Sequence, residues 1–146
     1  KESNDFSLPE YKPGTAMSDN WVETLKEIPN ISSESGIPLS ILAAIPALDS
    51  GRGTGRYARE RNNFTSYQAY DDNPDAARSF NTPADSIRAL ANLITGKTGE
   101  TRYQDAWGLR DNPEAMVRAI AARYASDPDY AAKLMATPEW KLYSKK

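Results

Sequence analysis

Apolar residues recur at helical spacing along most of this chain. Trp21, Leu25 and Ile28 fall at i, i+4 and i+7, with Asp19, Glu23 and Lys26 on the other faces, which predicts an amphipathic helix from near Ser18. Pro29 is expected to end that helix, because proline has no N–H and crowds the preceding turn. Residues 37–50 are apolar nearly all round, with Leu39, Leu42, Ala43 and Ile45, the pattern of a helix enclosed by protein. Pro38 suits its first turn, and Gly51, Gly53 and Gly55 stop it, which leaves Asp49 at the helix end. Residues 56–60 predict a short helical turn. The pattern then changes. Residues 62–70 carry the β-favouring Phe64, Tyr67 and Tyr70, Asp71-Asp72-Asn73-Pro74 is strong turn chemistry, and Ala77 to Phe80 return as a second short strand.

Helical signals resume after this insert. Thr82-Pro83 is an N-cap followed by a first-turn proline; Ile87, Leu90, Ala91 and Ile94 trace one face, and Gly96 ends the helix. A short segment from Thr101 to Trp107 stops at Gly108. Asn112-Pro113 opens a helix with Met116, Val117, Ile120 and Tyr124 inward, Asp127-Pro128 opens one burying Tyr130 and Leu134, and Thr137-Pro138 opens a last turn with Trp140. Residues 1–17, with Pro9, Pro13 and Gly14 among polar neighbours, read as an N-terminal arm or linker, and 18–146 as one domain. The expected fold class is mainly α (α+β), with a small β-hairpin insert.

Composition narrows the chemistry by two zeros. Without Cys there is no disulfide, zinc–thiolate site or cysteine nucleophile, and without His there is no serine–histidine triad or HExxH metal site. Catalysis must therefore rest on Asp, Glu, Tyr, Lys or Ser. The net charge is −2 and the 18 basic residues are scattered, so no basic field is offered to nucleic acid. No stretch approaches the roughly 18–20 apolar residues of a membrane span, and the first residues do not read as a signal peptide. A Cys-free domain suits an extracellular setting and a reducing cytoplasm equally.

The remaining chemistry lies in carboxylates and aromatic rings. Asp49 is either a solvated helix-end residue or a rigidly held general acid, whose pKa partial burial would raise. Asp71, Asp72 and Asp75 beside Tyr67 and Tyr70 are either turn formers or a saccharide site, with acids for the glycosidic oxygen and flat rings for the sugar faces. Thr95-Gly96-Lys97-Thr98 is not a phosphate loop, because Ala91 stands where a glycine is required and the segment follows a helix.

These segments, in order, are S-G-I-P-x-S-I-L-A, A-L-D-S-G-R-G-T-G, A-R-E-R-N-N-F, A-Y-D-D-N-P and R-Y-A-S-D-P-D-Y-A-x-K-L. Together they resemble the peptidoglycan-cleaving N-acetylglucosaminidase domains of flagellar and autolysin type (glycoside hydrolase family 73), over roughly residues 20–136. The resemblance implies a lysozyme-like fold, with a helical lobe, a small β-lobe and a cleft between them. It implies hydrolysis of the β-1,4 bond after N-acetylglucosamine in peptidoglycan strands, outside the cytoplasm, by a monomer that needs no metal or organic cofactor. Asp49 takes the place of the family's general acid, normally Glu, and Tyr124 that of its cleft tyrosine. Asp71 matches the acid of the β-lobe turn as second carboxylate, with Asp72, Asp75 and Glu60 as substitutes. Asn63, Tyr67, Tyr70 and Arg52 fall to substrate binding. Rival readings are a muramidase or lytic transglycosylase on the same glycan, or a non-catalytic glycan-binding module.

Departures from the family pattern bear on activity, among them Thr65-Ser66 for an expected Phe-Gly-like pair and Arg123 for the usual Gly. Asp49 is one methylene short, which draws the carboxyl back by roughly 1–1.5 Å, a displacement able to cost ~10²-fold in rate. Arg52 replaces a tryptophan and is expected to place a cation beside the acid, lowering its pKa. Pro46 is expected to kink the helix just before the acid.

Overall fold

A computed structural model describes residues 6–68 and 76–145. Its described residues form eight helices: α1 (Trp21–Ser35), α2 (Leu39–Asp49), α3 (Arg56–Arg61), α4 (Pro83–Thr95), α5 (Gln104–Trp107), α6 (Pro113–Tyr124), α7 (Tyr130–Met135) and α8 (Pro138–Tyr143). None is long and apolar enough to cross a membrane. The organising element is α2. Its residues from Ser40 to Ala47 are all buried, and it packs against α1, α4, α6, α7 and α8. A helix surrounded in this way needs no polar face, which explains the unbroken apolar run.

Three helix starts follow from capping chemistry. The side chains of Thr82, Asn112 and Thr137 accept from the backbone N–H of Asp85, Ala115 and Trp140, and each is followed by proline. Pro29, by contrast, does not end α1. The helix continues through it for six further residues to Ser35 and closes at Gly36, whose left-handed φ of 82° lets its N–H reach Ser32 O. The continuation buries Ile31 against the core beside Ile28, and that burial outweighs the one backbone bond proline cannot make.

The expected β-hairpin is not supported: no strand occurs among the described residues of 62–81. The two arms do run side by side. Arg78 N–H donates to Tyr67 O at 3.0 Å and Phe80 N–H to Arg61 O at 2.8 Å. A ladder is nevertheless prevented by the backbone, since Asn62, Ser66 and Gln68 all have left-handed φ, from 53° to 66°. Asparagine side chains bridge the arms in its place, as the Asn62 amide donates to Phe80 O and Asn81 O. Tyr70, Asp71, Asp72 and Asp75 lie outside the described residues. The loop is tied to the core by Phe64, which is fully buried and stacks on Trp21 with centroids 6.2 Å apart.

Candidate active site

Asp49 is the last residue of α2, and the turn after it is tightly specified. Ser50 Oγ donates to Pro46 O at 2.6 Å and accepts from Gly53 N–H at 2.9 Å. Gly53 has φ +85° and no room for a side chain, because a Cβ would lie 2.1 Å from Ser18 Oγ. The apolar helix behind and the closed turn ahead fix the backbone at Asp49.

One oxygen of that carboxyl is bonded and the other is not. Tyr130 Oη donates to Asp49 Oδ1 at 2.6 Å, whereas Asp49 Oδ2 is buried without a partner. The Tyr130 ring stacks on Tyr124, centroids 5.8 Å apart, and Tyr124 Oη donates to Thr65 O. A carboxylate oxygen buried without a partner is costly to ionise, which favours the neutral carboxyl. In agreement, burial pushes the Asp49 pKa up to about 7, and the Tyr130 and Tyr124 hydroxyls pull the other way without cancelling it. Burial also holds the Tyr124 phenol well above its ordinary value.

Asp49 opens onto a cavity of about 800 Å³, a volume suited to a small ligand or a short stretch of polymer. Tyr67, Tyr103, Tyr124 and Tyr130 contribute to its wall, with Glu100, Arg102, Arg123 and Asp127 among the charged groups. A neutral acid among tyrosine rings is suited to holding a polyol and protonating an oxygen of it.

Residues 25–139 match the glucosaminidase family, described as mannosyl-glycoprotein endo-β-N-acetylglucosaminidase. The chain belongs to this family. It is thus a glycoside hydrolase domain. No curated protein matches it in sequence. Among solved structures, an N-acetylmuramoyl-L-alanine amidase from Staphylococcus aureus matches with TM-score 0.67 and 19% identity, over 87% of this chain and 43% of that one. The catalytic domain of the autolysin Auto from Listeria monocytogenes matches with TM-score 0.63 and 16% identity, over 95% of this chain and all of that one. At these identities the likeness is one of fold. The chain spans less than half the length of the Staphylococcus structure.

Within the glucosaminidase domain, the residues expected from sequence have separate fates. Asp49, Tyr67 and Tyr124 line the same cavity. Asn63 does not: it is buried, and its side chain is fully engaged in shaping the loop. Its amide donates to Tyr67 O and Arg78 O, and its Oδ1 accepts from the N–H groups of Thr65 and Tyr67. It acts by carrying Tyr67 to the cavity. Arg52 is also absent from the cavity wall, since Glu139 holds its guanidinium through Nε at 2.8 Å and Nη2 at 2.9 Å. The expected depression of the Asp49 pKa by Arg52 therefore does not occur. Glu60 is paired with Arg56 at 3.3 Å and does not reach the cavity wall.

Tyr130 was legible only as a core residue, because an inward tyrosine at helical spacing looks the same whether or not its hydroxyl meets an acid. Its effect is testable. Tyr130→Phe removes a donor that favours the ionised carboxylate, so the Asp49 pKa rises further. In a pH–rate profile, the alkaline limb of the variant is expected to move to higher pH with KM little changed. An unmoved limb would show that this bond does not tune the acid.

Proposed function

We propose that this domain is an endo-β-N-acetylglucosaminidase that acts outside the cytoplasm on peptidoglycan, cleaving the β-1,4 bond after N-acetylglucosamine. The observation that carries the reading is Asp49: fixed at the end of α2, lining a tyrosine-walled cleft, and raised by burial to a pKa of about 7. A group with that pKa is about half protonated at neutral pH and gives its proton up readily, as departure of a sugar oxygen requires. Family membership supports the bond type, and the fold shared with a protein described as an autolysin supports the polymer.

In this reading Asp49 protonates the leaving oxygen. The positive charge that develops on the sugar is stabilised by a second carboxylate, with Asp71 as candidate, or by the substrate's own acetamido group beside Tyr124. Because Oδ1 is bonded to Tyr130 and Oδ2 is buried, the short Asp49 side chain must turn to meet a glycosidic oxygen.

The test is mass spectrometry of purified peptidoglycan after incubation with the domain and with Asp49→Glu. New reducing-end N-acetylglucosamine is expected from both. The extra methylene carries the carboxyl roughly 1 Å further into the cleft, and up to ~10²-fold faster release is expected from the variant. Reducing muramic acid or 1,6-anhydro ends would assign the bond to a muramidase or a lytic transglycosylase. Absence of product from both folded proteins would leave a glycan-binding module.

A further inference from the structure

Glu139 is the one carboxylate in the described structure whose residue is wholly buried, and it takes no part in the cavity. Arg52 grips both of its oxygens, and Tyr11 Oη donates to Oε2 at 2.7 Å. Trp21 Nε1–H donates in turn to Tyr11 Oη at 3.0 Å, and the Arg52 guanidinium lies over the Tyr11 ring, 5.2 Å from its centroid. Four separate segments meet here: the N-terminal stretch, the start of α1, the turn after Asp49, and α8.

Burying a charge pair is costly, and apolar residues of similar volume would hold these segments together at least as well. What a forked ion pair adds is direction, and it adds it next to the acid. Arg52 follows Asp49 by three residues and has left-handed φ (53°). Its N–H closes on Ala47 O at 3.1 Å, and its carbonyl accepts from Ser18 N–H at 2.9 Å. The last turn of α2 depends on such external ties, because Pro46 has no N–H to give Leu42 O and one rung of the helix is missing there.

We propose that Glu139 and Tyr11 are positioning residues for Asp49, acting through Arg52 to hold the turn that aims its carboxyl. The N-terminal stretch carrying Tyr11 is then part of the catalytic unit. The proposal rests on Asp49 being the acid, as argued above.

The test uses the full chain with Glu139→Gln and, as a milder change, Tyr11→Phe, which keeps the ring under Arg52. Folding is checked by circular dichroism and thermal unfolding. The Asp49 carboxyl is then titrated by ¹³C NMR, its signal assigned by its loss in Asp49→Asn. For each variant that is folded at the assay temperature, kcat on peptidoglycan is expected to fall about tenfold with KM within about twofold, a split fitting a displaced acid. The Asp49 titration is expected to move at least one pH unit toward the ordinary carboxylate range as the turn loosens. A brace that serves stability alone would lower the melting temperature and leave both readouts where they were; that result overturns the proposal. Should the unaltered domain release no sugar, the peptidoglycan reading fails, while the NMR titration still decides whether Glu139 and Tyr11 govern the acid.

Discussion

Asp49→Asn is expected to lower kcat on peptidoglycan by about 10²–10⁴-fold, the range a positioned general acid contributes. The substitution is nearly isosteric. Asparagine still offers Tyr130 an acceptor, so the stacked Tyr130–Tyr124 pair stays in place and the cavity keeps its wall. What disappears is the proton. Substrate affinity, measured as retention of the folded variant on insoluble peptidoglycan, is expected to change little, which separates loss of chemistry from loss of binding. The pH dependence follows from the same group. With a pKa raised to about 7, the active protonated form predominates below neutrality, and the rate of the unaltered domain is expected to fall as pH rises through about 7. Full activity in folded Asp49→Asn, or a rate that keeps rising above pH 8, would remove Asp49 from the acid role.

The second large effect is on stability, and there the same substitution is favourable. Burial raises the folded-state pKa of Asp49 from the ordinary 3.8 to about 7. Between those values the folded protein holds a proton that the unfolded chain has released. By linkage, this group's contribution to stability is fully present below about pH 4, declines as pH rises to about 7, and is flat above. At ~1.4 kcal/mol for each pH unit, the difference amounts to roughly 4 kcal/mol. The amide of the variant does not ionise and escapes this penalty. Between pH 4 and pH 8 the melting temperature of Asp49→Asn is expected to gain on the order of 10 °C relative to that of the unaltered domain. Comparing the two proteins at each pH cancels every other titrating group. Parallel curves across the range would mean that the carboxyl is not held in a desolvated site. An opposition of rate and stability at one residue is what the proposed acid role entails, because the group is held against its own solvation preference.

The apolar run that became α2, and the acid at its end, were legible in the sequence, as were the proline-led starts of α4, α6 and α8. Those signals are local: a cap speaks to the residue three along, and a helix that is apolar on every side declares its burial in one short window. Where a local signal met a tertiary demand, the tertiary demand prevailed. Pro29 sits inside α1 because Ile28 and Ile31 are both wanted in the core. The β-favouring aromatics after α3 form no strand in the described loop, because left-handed backbone at Asn62, Ser66 and Gln68 and the amides of Asn62 and Asn63 fold it otherwise.

The site divides along the same line. That Asp49 ends a buried helix is a property of the sequence; that its proton is held near neutral pH is not. The Tyr130 hydroxyl reaches it from 81 residues away, and Glu139 removes Arg52 from its neighbourhood across 87 residues. Charge and hydrogen bonding depend on distance in space, which a linear pattern records only over the three or four residues of a helical turn. Sequence determined where the acid stands, and the packing of α7 and α8 against α2 decided what kind of acid it is.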